Sequence, residues 1–303
     1  MKIKAYVLIQ TFITILVWGA ALIGGSTISS LIIGETAGQN IGASLSANAI
    51  LYLFVCAVLL LLYNFLKIDS LQECIKIINI KISRYALLAI TICFAADIFL
   101  CVKYVLTLID YGYLDYSNLK FSGPFALLSA ILVYAAVGFS EELFCRGFLL
   151  GLWLKHYSED KRPMMKAAVI SSLLFGLVHL INLTNGFHAA NLIYTLIQII
   201  FAGMYGMFFS ALMFQSNSLW LCAIIHGMID FIGNIYELFV PVIYMDSVPD
   251  SALTGFSVFE GTLTLLAIIP GFIWAVRSIQ VLDNAKMEIS DETYPKAREK
   301  SRT

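Results

Sequence analysis

Eight long apolar runs, separated by shorter polar stretches, dominate the chain. They cover roughly residues 5–24, 45–66, 85–108, 124–153, 164–182, 190–213, 218–238 and 258–279. Inside hydrocarbon no water is available to open backbone groups, so a crossing segment closes its own hydrogen bonds as a helix of about 20 mostly apolar residues. The pattern therefore predicts an all-α fold, a polytopic membrane helical bundle of about eight transmembrane helices. No internal repeat relates the runs. The first follows Met1-Lys2-Ile3-Lys4, is longer than a typical signal-peptide core, and has no A-x-A site after Gly25, so it reads as an uncleaved helix. A polar tail follows Leu282.

Composition strengthens this reading. The 303 residues are 60% hydrophobic and 13% charged, with a mean hydropathy of +0.85. A soluble domain carries about 25% charge. An ordinary cytosolic enzyme, a nucleic-acid binder and a disordered regulator are excluded. Five of the six cysteines (Cys56, Cys93, Cys101, Cys145 and Cys222) fall inside apolar runs, the sixth is Cys74, and no CxxC pair occurs. Thiols so placed act as small hydrophobes, which argues against structural disulfides and a cysteine-held metal.

Net charge is −1, so what informs is where the charges lie. Of 19 lysines and arginines, 16 fall before the first run, between the second and third, between the fourth and fifth, and around the C-terminal end. The opposite connections hold only Lys120, while Lys103 and Arg146 lie inside runs. Basic loops stay on the cytoplasmic side, and an even number of crossings then predicts both termini in the cytoplasm. Three parts are expected. Residues 1–123 hold about three N-terminal helices, 124–238 form a core, and 239–303 carry the last helix and the polar tail.

Ionisable groups inside the apolar runs each cost at least about 2.5–3.5 kcal/mol to insert, so each needs a reason. Three blocks stand out: Glu141-Glu142-Leu143-Phe144-Cys145-Arg146, Phe175-Gly176-Leu177-Val178-His179, and His226-Gly227-Met228-Ile229-Asp230. Counting helix rise inward from Lys155, Lys166 and Asn217 puts Glu142 and His179 about 20 Å deep and His226 about 14 Å deep. Three helices thus carry polar groups in one layer. Glu142 and Arg146 are i,i+4 and can pair, which leaves Glu141, about 100° further round, unclaimed. His226 and Asp230 are also i,i+4, so the aspartate can orient the imidazole or accept its proton. A carboxylate and two imidazoles can activate water and stabilise an oxyanion. The same set, two histidines and a glutamate, could hold a divalent metal such as zinc with an open position. Buried Glu–Arg and His–Asp pairs also pin helices together, and lone membrane histidines bond backbone carbonyls. Asp97, Lys103, Glu237, Glu260, His156 and His188 read as structural or solvated.

The three blocks resemble the motifs EExxxR, FxxxH and HxxxN (or Asp) of the CAAX-protease and bacteriocin-processing family of intramembrane endopeptidases, also called the Abi family. The resemblance covers roughly residues 124–238. It implies that Glu141 activates water with His179, and that His226 and the residue four later bind the oxyanion. Glu142 and Arg146 then support the site. Prenyl proteases of eukaryotic type carry Asn where this chain has Asp230. An ionised Asp cannot donate to an oxyanion, so Asp230 is either protonated or orients His226 or a metal. The resemblance implies a membrane-associated peptide or protein substrate and the lipid bilayer as partners, no nucleic acid, and a multi-pass place in the cell membrane. The Ile-, Lys- and Tyr-rich composition with short loops fits a low-GC bacterium, which favours bacteriocin maturation or self-immunity over prenyl-protein processing. Two rivals are a catalytically idle immunity or regulatory protein of the same fold and a proton-coupled transporter. Neither inverted repeats nor Gly/Pro-broken helix pairs support the transporter.

Overall fold

The computed structural model describes residues 5–34, 40–66, 81–185, 189–241 and 250–293. It is all-helical. Eight helices follow in chain order: α1 (Ala5–Ile33), α2 (Ile41–Leu66), α3 (Arg84–Asp110), α4 (Pro124–His156), α5 (Pro163–Val178), α6 (Ala189–Ser216), α7 (Leu219–Gly233) and α8 (Asp250–Thr293). Seven of them, α7 excepted, lie in stretches long and apolar enough to cross a membrane. The basic residues Lys2, Lys4, Lys67 and Lys76, and everything after Thr293, lie outside the described residues, as does His188.

Local signals set the helix starts. Ser83 caps α3 by accepting from the Ala86 N–H, and Ser218 caps α7 by accepting from the Leu221 N–H. Pro124 and Pro163 open α4 and α5, where their missing N–H is no loss. The next two amides of α5, on Met164 and Met165, donate to the two carboxylate oxygens of Asp283, each at 3.0 Å. Asp283 is fully buried and belongs to α8, which runs helically to Thr293 where the sequence pattern predicted a polar tail from Leu282.

The run expected as a crossing at 218–238 is shorter than its apolar pattern. Its α-helix has 15 residues, about 22 Å at 1.5 Å per residue, against about 30 Å of hydrocarbon. Asn234 closes it, with both its backbone N–H and its side-chain amide donating to the Asp230 carbonyl, and a 3-10 turn (Ile235–Leu238) follows. His156, expected in a connection, is instead a buried residue in the last turn of α4, packed against Trp153 and Tyr157.

The bundle packs α1 on α2, α2 on α4, α4 on α7, α5 on α6, and α6 along α8, with α3 closing against α7 and α8. Of the seven long helices α6 is the most enclosed, with 61% of an apolar 18-residue stretch buried against 28% for α1. Apolar side chains such as Ile23, Leu31 and Leu61 are left exposed on the outside of the bundle, as a crossing segment in hydrocarbon permits. The interior is aromatic: Phe144, Phe148, Phe208 and Phe209 are almost completely enclosed, and Trp18 stacks on Phe144 at 5.0 Å to hold α1 against α4.

Candidate active site

Two glycine contacts bring the polar blocks together. A methyl group on Gly138 of α4 would lie 2.5 Å from the Ala223 carbonyl, and one on Gly227 of α7 would lie 2.6 Å from the Tyr134 carbonyl. The two helices therefore meet backbone to backbone. His226 is the neighbour of one glycine, while Glu141 and Glu142 stand one turn beyond the other. Gly176 of α5 and Gly206 of α6 make a second close approach, with Ile199 O 2.5 Å and Ser172 Cβ 2.8 Å from the positions their methyls would take. Immediately after Glu142 the backbone of α4 loosens into a π-helical stretch, Leu143–Leu150, all eight residues of which are buried.

An inner layer is built on Glu142. Its Oε2 lies 3.1 Å from Arg146 Nε, both side chains being at most 1% exposed, without the alignment of a hydrogen bond. Its Oε1 accepts from His226 Nδ1–H at 2.7 Å. Arg146 also donates to the Gly206 carbonyl at 3.3 Å, and its guanidinium lies between the rings of Phe175 and Phe209, 4.9 and 5.1 Å from their centroids. A cation held on two aromatic faces gains electrostatic attraction without water. Phe209 further stacks on the His226 imidazole at 5.1 Å.

An outer layer faces a cavity of about 480 Å³, whose walls include Glu141, His179, His226 and Asp230. Because Nδ1 of His226 is held by Glu142, Nε2 is the nitrogen on the cavity side. It lies 3.7 Å from both Glu141 Oε2 and Asp230 Oδ2. His179 Nδ1 is 2.8 Å from the Phe175 carbonyl, which can only accept, so this nitrogen carries a hydrogen, and Nε2 makes no hydrogen bond to a described residue. Phe175 packs edge-on against both imidazoles, at 5.1 Å from His179 and 6.0 Å from His226. Glu141 accepts no hydrogen bond from any described residue.

All six residues singled out by the three blocks thus occur in one neighbourhood, in two layers. The ring-holding position expected of Asp230 is filled by Glu142, since Asp230 stays beyond hydrogen-bond distance of His226. Among the described residues no three His, Cys, Asp or Glu side chains are arranged to hold a metal ion. Sequence reasoning missed Phe209, which gave no signal among so many aromatic residues. It also set aside Asp97, Glu237 and Glu260, which line the same cavity. Their position inside or beside apolar runs was the available signal.

Residues 123–232 match the family described as Type II CAAX prenyl endopeptidase Rce1-like, a segment that contains all three blocks. No curated protein and no solved structure matches the chain. Seven helices long and apolar enough to cross a membrane mark a multi-pass membrane protein. Over residues 123–232, the chain is similar to the Rce1-like CAAX endopeptidases.

Proposed function

We propose that the protein is an intramembrane endopeptidase that hydrolyses a peptide bond of a membrane-associated peptide or small membrane protein. One observation carries the reading: on the cavity wall, Glu141 has no hydrogen-bond partner among the described residues, its Oε2 lies 3.7 Å from His226 Nε2, and His179 lines the same cavity. Glu141 accepts a proton from water while His179 Nε2 accepts the water's second hydrogen bond, and the resulting hydroxide attacks the carbonyl carbon. His226, its Nδ1–H directed to Glu142, donates Nε2–H to the oxyanion from its imidazolium form. As the tetrahedral intermediate collapses, the C–N bond breaks and Glu141 returns its proton to the leaving amine, giving an acid and an amine. Glu142 and Arg146 position His226 and do not touch substrate. Among the described residues no three His, Cys, Asp or Glu side chains are arranged to hold a metal ion, and these steps run through the chain's own side chains.

The protein's place is the cell membrane, and a bacteriocin-type peptide in maturation or self-immunity is the substrate we favour over a prenylated protein. The test is cleavage of a quenched-fluorescence library of lipid-anchored peptides by the purified protein in detergent, with Glu141→Ala as control. Cleavage by the wild type and none by the variant is expected. Equal cleavage by both, or none by either, sinks the reading.

A further inference from the structure

Beyond the catalytic groups the cavity continues along a wall of different character. Asp97 of α3, Glu237 after α7, and Glu260 of α8 line it together with Glu141 and Asp230. That makes five carboxylates around one cavity. Among the described residues no lysine or arginine lines it, and the nearby guanidinium of Arg146 is already placed against Glu142. Two of the acids have tyrosine partners: Tyr134 donates to Glu237 at 2.8 Å and Tyr194 to Glu260 at 3.4 Å. Asp97 differs. It is 7% exposed, its Oδ2 is enclosed with no hydrogen-bond partner, and Asp230 and Glu260 lie within electrostatic reach. An enclosed carboxylate without a donor costs free energy that a stable fold avoids unless something else supplies the donor.

We propose that Asp97 and Glu260 form an acidic subsite that receives the lysine or arginine side chain of the substrate. The inference rests on the peptidase reading and gives it a substrate class: a membrane peptide with a basic residue close to the scissile bond. The subsite has room, since the cavity of about 480 Å³ exceeds what the catalytic water needs. The wall also selects against alternatives. An acidic side chain brought to it meets further carboxylates and no described lysine or arginine, and specificity exploits such repulsion as much as attraction.

The test measures binding and cleavage separately. Lipid-anchored fluorescent peptides, identical but for one position carrying lysine, norleucine or glutamate, are titrated onto the full-length Glu141→Gln protein in nanodiscs of neutral phosphatidylcholine. The variable position is moved along the peptide. At one register lysine should bind about tenfold tighter than norleucine and glutamate should bind weakest, as for a close charge pair. Introducing Asp97→Asn should bring lysine and norleucine together. Glu260→Gln, checked for monodisperse elution, provides a second variant should Asp97→Asn misfold. No binding of any peptide, no lysine preference at any register, or a preference that survives both substitutions overturns the subsite. Lysine binding that magnesium ions abolish while norleucine binding is unaffected supports it, whereas magnesium competing equally with all three peptides reassigns the wall to a metal. Cleavage of the same peptides by wild type separates the two claims. Lysine-selective binding without cleavage removes the peptidase reading alone, and cleavage indifferent to lysine removes the subsite alone.

Discussion

Glu142 of α4 holds His226 of α7 at 2.7 Å through Nδ1, and the same carboxylate faces Arg146 at 3.1 Å. One buried acid therefore ties the imidazole to the guanidinium, and through Arg146 to the Gly206 carbonyl of α6. Three helices meet on it. Its neighbour in sequence, Glu141, takes no part in this tie and is left to the cavity.

Breaking the tie should show in stability. Arg146→Ala leaves an enclosed carboxylate beside His226, and a broken buried pair costs about 3–5 kcal/mol. A clear fall in the unfolding temperature of the detergent-purified protein is expected. An unchanged temperature would refute the pairing.

Glu141→Gln should act in the opposite manner. The side chain makes no hydrogen bond to the described residues and faces the cavity, so unfolding temperature should hold while turnover falls by about 10²–10⁴-fold, the usual contribution of a general base. Loss of fold together with activity would place Glu141 in the framework.

Asp230→Asn should retain measurable turnover, because Glu142 rather than Asp230 fixes the ring of His226. Turnover of both variants on one peptide separates them: Glu142→Gln should lose activity and stability together, Asp230→Asn much less of either. Complete loss in Asp230→Asn with an intact fold would show that Asp230 carries a proton.

Gly227→Ala adds a methyl 2.6 Å from the Tyr134 carbonyl, where backbone cannot yield cheaply. The helices must separate, at about 1–3 kcal/mol for an overpacked contact. Since His226 is adjacent, activity should fall further than at a site remote from the cavity, which turnover and unfolding temperature measured on one preparation can compare.

Asp283→Ala removes the partner of the Met164 and Met165 amides and should cost about 1 kcal/mol, as for a lost helix cap. Asp283→Asn, which keeps one acceptor, should recover part of the unfolding temperature. Equal losses would mean that the carboxylate's charge, rather than its acceptor geometry, holds the start of α5.

The apolar pattern made the helices legible because hydrocarbon leaves the backbone one way to satisfy itself. The i,i+4 spacing likewise announced Glu142 with Arg146, since that relation is local to one helix. What the spacing could not carry was contact between helices. Nothing in a linear reading says that Gly138 meets Gly227, and without that crossing Glu142 and His226 are 84 positions apart with no reason to touch. His226 was accordingly given the partner on its own helix. Asp97 was set aside because it has no partner at helical spacing and Glu260 because it lies near the end of its apolar run, and only packing of α3 and α8 beside α7 brings them to one cavity.

The π-helical turn from Leu143 to Leu150 holds about one residue more than an ordinary α-helix would use over the same arc. A one-residue deletion there would let the ladder close as an α-helix with little change of phase, so Leu152, Trp153 and His156 would keep the faces they now bury. The same deletion within Pro124–Glu142, where the ladder is already α-helical, would rotate everything beyond it by about 100°. The widened turn thus stores a spare residue: it changes which side chains face inward within the turn, Arg146 among them, while the two halves of the helix stay in step.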